Sequence, residues 1–164
     1  MERRYRYVAN GVADTIRLAE TVEAGLEAGA VLALDGDLGA GKTRFSQALA
    51  KSLGIPGIVN SPTFTIIKEY EGGRLPLYHM DVYRITLEEA DDLGLEEYFY
   101  GEGVTVVEWA SRIEPILPTE RLTIYIHDRG GEERLFELTP SGEACERLCM
   151  EMKENGWLYE HDAE

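Results

Sequence analysis

Positive charge is scarce in this chain. Sixteen lysines and arginines stand against 31 aspartates and glutamates, leaving a net charge of −15. Gripping a phosphate backbone takes clustered Lys and Arg, so strong direct binding to nucleic acid is not expected. An acidic surface aids solubility, or docks onto a basic partner protein. Cysteine is nearly missing as well, with only Cys145 and Cys149 present. They lie four apart on one face of an expected helix, with no Cys or His nearby at ligand spacing. That arrangement fits two buried thiols in a reducing compartment, not a disulfide framework or a zinc site. No apolar run approaches the roughly 20 residues that span a bilayer. The start, Met1-Glu2-Arg3-Arg4-Tyr5, is polar and lacks the apolar stretch of a signal peptide. A cytoplasmic location, away from membranes, is the expectation.

What is present suffices for a core. Apolar residues make up 44% of the 164, so one domain of this size folds without disulfides or metals. A single domain over residues 1–156 is expected, with 157–164 as a loosely ordered tail. No internal repeat or low-complexity tract breaks it up.

The pattern along the chain predicts alternating strands and helices. Residues 3–8 read as a short strand. Asp14 reads as the cap of a helix running to about Leu26, with Ile16, Leu18, Ala19, Val22 and Leu26 apolar. Ala30-Val31-Leu32-Ala33-Leu34 is a continuous apolar run, as in a strand covered on both faces. A glycine-rich turn and a helix from Lys42 to about Leu53 follow, stopped by Gly54-Ile55-Pro56-Gly57. Phe64–Tyr70 and Leu75–Tyr83 read as a hairpin turned at Gly72-Gly73. Thr86 and Glu89 form a capping box, and Leu95 to Tyr100 reads as a helical turn. Val104–Val107 is a second buried-type strand. Leu122–Ile126 and Arg134–Leu138 alternate like an antiparallel pair, and Ser141 opens a last helix to about Asn155. The expected fold is α/β: a three-layer, P-loop NTPase-like domain whose central sheet is mostly parallel, with added antiparallel strands.

Gly36-Asp37-Leu38-Gly39-Ala40-Gly41-Lys42-Thr43 fits the P-loop pattern G-x-x-x-x-G-K-S/T. Its glycines let backbone N–H groups turn inward around phosphate oxygens. Lys42 places a cation at the β- and γ-phosphates, and the Thr43 hydroxyl can ligate Mg²⁺. The following helix aims the positive end of its dipole at the phosphates. Leu38, Gly39, Ala40, Gly41, Lys42 and Thr43 are therefore candidate binding residues for ATP or ADP.

A P-loop needs acids for its metal and its water. Glu108 stands at the carboxyl end of a buried-type strand, where ligands bind in open α/β sheets, or else faces solvent there. Asp81 also lies near a strand end and could orient an attacking water, or simply pair with Arg84. Ser61-Pro62-Thr63-Phe64-Thr65 is rich in hydroxyls, like a switch loop that senses a γ-phosphate, although it also makes an ordinary turn. Trp109 is either an aromatic neighbour of the site or a core residue. His79, alternating with Tyr78 along a strand, reads as structural.

Taken together, Gly36 to Thr43, Ser61 to Thr65, Tyr78-His79-Met80-Asp81-Val82-Tyr83-Arg84 and Val107-Glu108-Trp109-Ala110 resemble the bacterial TsaE (YjeE) family. That family is the ATPase component of the machinery that makes threonylcarbamoyladenosine in tRNA. The resemblance runs from about residue 10 to 140, in the same order and with similar spacing. It implies that Thr43 and Glu108 bind Mg²⁺, that Asp81 is needed for hydrolysis, and that Lys42 and Glu108 serve catalysis. It also implies that Thr63 belongs to a switch-like segment, that Trp109 lies close to the nucleotide and that the loop at Asn10 approaches the adenine. An arginine before the last strand pair is frequent in the family, and here Arg129 and Arg134 are both candidates. Ala110 stands where proline is frequent. The partners implied are the TsaD and TsaB proteins, which carry the transferase chemistry and the tRNA contacts.

Other uses of a P-loop fit less well. A small-molecule kinase needs an arginine-rich lid, and no basic lid segment is visible. A GTPase needs an Asn-Lys-x-Asp segment, which is missing. A nucleotide-sensing interaction protein without catalysis remains the alternative of a different class. No obvious arginine finger is present in cis, so turnover alone is expected to be slow.

Overall fold

Val31-Leu32-Ala33-Leu34 is apolar at every position because both of its faces are covered. In the structure, a computed structural model that describes residues 3–37 and 39–161, these residues lie in the strand Val31–Gly36 at the centre of an eight-stranded sheet. The elements in chain order are β1 (Arg4–Ala9), α1 (Val12–Ala24), β2 (Val31–Gly36), α2 (Lys42–Leu53), β3 (Ile67–Tyr70), β4 (Leu77–Asp81), α3 (Leu87–Asp92) and α4 (Glu96–Phe99). They continue with β5 (Val104–Glu108), a 3₁₀ segment Ala110–Ile116, β6 (Arg121–Asp128), β7 (Arg134–Ser141), α5 (Glu143–Glu154) and β8 (Tyr159–His161).

The sheet order is β3-β4-β5-β2-β6-β7-β1-β8. The four central strands β4, β5, β2 and β6 run parallel. The pairings β3–β4, β6–β7, β7–β1 and β1–β8 are antiparallel. Parallel pairing is thus confined to the centre, and the flanks are antiparallel.

Side-chain alternation sends β2 into two cores. Leu32 and Leu34 pack with Leu18, Val22, Phe45 and Leu49 of α1 and α2, and with Cys149 and Met152 of α5. Val31 and Ala33 pack on the other face with Ala90 and Phe99 of α3 and α4 and with Ala110 and Ile113 of the 3₁₀ segment. Helical cover on both faces makes the parallel centre three layers thick. Along β6 only Leu122, Ile124 and Ile126 join the first core, and the residues between them are half-buried or exposed. The two cysteines behave as packing residues: burial pushes the Cys149 thiol up to about 12 and the Cys145 thiol up to about 11, which keeps both in the unreactive thiol form.

Local departures from the sequence reading have physical causes. Helix α1 begins at Val12, not at Asp14; the Asp14 carboxylate lies in the first turn and accepts from the Asn10 backbone N–H at 2.8 Å. Strand β3 starts at Ile67, three residues later than expected. The chain turns first, with the Ile66 N–H on the Pro62 carbonyl at 2.7 Å and Ile66 at φ 69°. A β-branched residue in that region costs on the order of 1–3 kcal/mol. The last helix opens at Glu143 after Gly142, two residues beyond Ser141. The tail is not loose throughout, because Tyr159–His161 pair with β1; residues 162–164 lie outside the described residues.

Gly36 ends β2 at φ 151°, and a Cβ there would sit 2.5 Å from the Ile126 carbonyl oxygen of β6. This first glycine of the loop is dictated by strand approach as well as by backbone conformation. Gly36→Ala is expected to destabilise the fold by about 2 kcal/mol, a fall in Tm of roughly 4–8 °C for a domain of this size. Thermal denaturation followed by circular dichroism checks it, and an unchanged Tm rejects the packing argument.

Candidate functional site

Three strand ends meet at one edge of the sheet. Parallel register sets Asp81 of β4 beside Glu108 of β5, and Glu108 beside Leu34 of β2. The loop that leaves β2 at Gly36 therefore emerges next to two carboxylates. Gly39 and Gly41 take φ values of 77° and 116°, a left-handed backbone that side chains resist. Gly41 caps α2 without any side-chain hydrogen bond, and the first turn contains no acid. It contains Lys42 and Arg44 instead, two cations at the end of a helix that favours anions. Uncapped N–H groups and two cations together make a receptor for a multiply charged anion.

Lys42 is 5% exposed. Its ammonium donates to the carbonyls of Gly36 at 3.1 Å and Asp37 at 3.0 Å, and lies 3.8 Å from the centroid of the Trp109 ring. Burial pushes its pKa down, against the opposing pull of Glu108, Asp35, Asp37 and Asp81. A bound anion would add to that pull.

Glu108 is 2% exposed and is held by donors on both of its oxygens. Its Oε1 accepts from the Thr43 hydroxyl at 3.0 Å. Its Oε2 accepts from the Ser46 hydroxyl at 3.4 Å and meets Nε2 of His79 at 2.5 Å. Asp81 is held separately: Oδ1 accepts from the Tyr83 backbone N–H at 3.0 Å, and Oδ2 from the Thr63 hydroxyl at 3.4 Å. Thr63 shares a hydrogen bond of 2.7 Å with Ser61. Among the described residues Asp81 forms no ion pair with Arg84, whose guanidinium stands 5.0 Å from the centroid of the Phe64 ring.

Trp109 turns the chain out of β5 at φ 64°. The turn is braced by Asp35, whose carboxylate accepts from the Ser111 backbone N–H and from its hydroxyl at 2.9–3.2 Å. Burial pushes the Asp35 carboxyl above its usual range, and the bonds from Ser111 oppose that shift. The brace keeps the half-buried Trp109 ring under Lys42 and 4.6 Å from the Tyr83 ring.

A cleft of about 550 Å³ opens over these groups. Of the residues expected at the site, Gly39, Gly41, Lys42, Thr43, Thr63, Asp81, Glu108 and Trp109 line it. Ala40 lines a smaller cleft of about 210 Å³ on the other side of the loop, with Gly11, Val12, Thr15 and Arg134. Asn10 is exposed and lines neither cleft; its neighbours Gly11 and Val12 take that place. Leu38 lies outside the described residues.

Several contributors are absent from the sequence reading. Arg44, Gln47 and Arg84 line the main cleft, so it does hold arginines from this chain. Arg134, not Arg129, serves the loop: its Nε donates to the Ala40 carbonyl at 2.9 Å, and Nη1 to the carbonyls of Gly131 and Glu133. Arg129 is exposed beside Glu133. His79, read as structural, is tied to Glu108. The family resemblance left Arg129 and Arg134 as equal candidates, and the contact of Arg134 with Ala40 decides between them; the sequence alone did not pair His79 with Glu108.

Among the described residues no group of three or more His, Cys, Asp or Glu is arranged to hold a metal. The oxygen donors of Thr43, Glu108 and Asp81 are hard ligands that fit Mg²⁺, an ion that takes its remaining ligands from water and phosphate.

Comparison with known proteins gives this site a family. The family model described as "Threonylcarbamoyl adenosine biosynthesis protein TsaE" matches residues 9–136. A relative in Bacillus subtilis (strain 168), described as tRNA threonylcarbamoyladenosine biosynthesis protein TsaE, is 55% identical over 139 residues, 85% of this chain and 87% of its own. A relative of the same description in Treponema pallidum (strain Nichols) is 48% identical over 120 residues, 73% of this chain and 88% of its own. A crystal structure of Bacillus subtilis YdiB superposes with a TM-score of 0.83 at 46% identity, covering 94% of this chain and 97% of that one. The family match spans the phosphate loop, both strand-end acids and Arg134 alike, and on it the chain belongs to the TsaE family.

Proposed function

We propose that this protein is a Mg²⁺-dependent ATP hydrolase, slow alone, that serves tRNA threonylcarbamoyladenosine biosynthesis in the cytoplasm together with TsaD and TsaB. One observation carries the reading: the uncapped, cation-bearing start of α2 faces two strand-end carboxylates across one cleft. Phosphates of ATP lie against the backbone N–H groups of the loop, and Lys42 offsets their charge. Thr43 and Glu108 hold Mg²⁺, which when bound neutralises charge on the phosphate oxygens. Asp81, oriented by Thr63 and the Tyr83 N–H, positions the attacking water and accepts its proton. Trp109 and Tyr83 form an aromatic wall that limits water beside Lys42. Binding of ATP or ADP draws Lys42 from the carbonyls of Gly36 and Asp37 toward phosphate.

The acidic balance of the chain supports a division of labour. With a net charge of −15, this protein leaves the tRNA to its partners and supplies them with nucleotide-driven work. No helix among the described residues is long and apolar enough to cross a membrane.

The test is Mg²⁺-dependent ATP hydrolysis, measured alone and with TsaD and TsaB. Partner stimulation is expected, and Lys42→Ala or Glu108→Ala is expected to remove it, with losses on the order of 10²-fold or more. Phosphate transfer to a metabolite with no partner effect points to a kinase and rejects this reading. Tight nucleotide binding without hydrolysis, even with both partners, points to a sensing protein. Thr43→Ala is expected to weaken the Mg²⁺ dependence of ATP binding, followed by calorimetry with and without EDTA; unchanged dependence removes Thr43 from the ligand set.

A further inference from the structure

We infer that His79 is a positioning residue for the metal site: its Nε2–H orients the Glu108 carboxylate so that Oε1 is presented to Thr43 and the cation. The inference rests on the magnesium role proposed above for Glu108.

His79 lies on β4 two residues before Asp81, so both side chains leave the strand on the same face. Register sets His79 beside Val106 and Asp81 beside Glu108. His79 is completely buried and does not line the cleft. Its ring has two nitrogens and, among the described residues, one hydrogen-bond partner. Nε2 meets Glu108 Oε2 at 2.5 Å, whereas Nδ1 is buried with no partner among the described residues. This asymmetry selects the tautomer. A hydrogen on Nδ1 would be a buried donor without an acceptor, and would leave the Nε2 lone pair against a carboxylate oxygen. A hydrogen on Nε2 makes one charge-assisted bond and leaves only a bare lone pair unsatisfied.

A histidine kept for packing alone has no need of that bond. Here the bond selects which carboxylate oxygen does what. Oε2 is taken by His79, while Ser46 gives its single hydroxyl hydrogen chiefly to the Lys42 carbonyl at 2.9 Å and stands at 3.4 Å from Oε2. Oε1 is left to Thr43, the residue that shares the cation with it. Without the ring N–H, Oε2 keeps only the 3.4 Å contact from Ser46, and the carboxylate is free to rotate away from Thr43. Partners that orient a metal ligand typically contribute 10- to 100-fold to metal affinity.

The experiment measures binding of mant-ADP by the full chain across a series of MgCl₂ concentrations and in EDTA. His79→Leu keeps the bulk and removes the donor. His79→Gln places an amide N–H near the position of Nε2. For His79→Leu the apparent Mg²⁺ affinity is expected to fall about 10- to 100-fold, with mant-ADP affinity in EDTA unchanged. His79→Gln is expected to restore most of the wild-type Mg²⁺ dependence. If His79→Leu does not fold by circular dichroism, His79→Asn takes its place, because its shorter amide stops short of Glu108. Equal Mg²⁺ dependence in wild type and His79→Leu, or equal loss in the Leu and Gln variants, overturns the inference while leaving the role of Glu108 intact. A wild-type protein whose mant-ADP binding ignores Mg²⁺ overturns the magnesium reading itself, and this inference with it.

Discussion

A carboxylate that is 2% exposed must find donors or lose its charge, and Glu108 finds them in two separate elements. Thr43 and Ser46 come from α2, and His79 comes from β4. Removing water from a carboxylate costs several kcal/mol, so these hydrogen bonds are compulsory. They also dictate geometry: the first turn of α2 must lie against the end of β5, and β4 must lie beside it in register. The phosphate loop inherits its position from that requirement.

The same edge of the sheet explains the aromatic beside Lys42. β5 ends at Glu108, and the chain turns at Trp109 in a conformation that costs about 1 kcal/mol or more. The Asp35–Ser111 brace holds that turn from the neighbouring strand. Strain, brace and ring form one device, which gives a buried ammonium a polarisable neighbour.

Much of this was legible in the chain. The run Ala30 to Leu34, the phosphate-loop glycines and the stop at Gly54 are local signals, and each maps onto the element expected. Glu108 and Asp81 were readable because strand ends in parallel sheets gather ligands. What escaped depends on distance through the chain. His79 and Glu108 are separated by 29 positions, and Arg134 and Ala40 by 94; no periodicity encodes such pairs. The late start of β3 escaped for another reason: residues 64–66 have strand-like composition, yet a tight turn at Pro62 claims them. Asn10 was assigned through the family resemblance, and the surface beside it is formed by its neighbours.

The two outer strands of the sheet are both short. β3 has four residues with Lys68 and Glu69 at its centre, and β8 has three, including Glu160 and His161. Glu160 is further engaged by Lys153 at 3.3 Å. Brief, charged margins offer little backbone for another chain to zip onto. Recognition of this protein by strand addition is therefore disfavoured at either border, as is edge-to-edge aggregation. What the chain leaves open to contact is instead its loops, its helices and the mouth of the cleft.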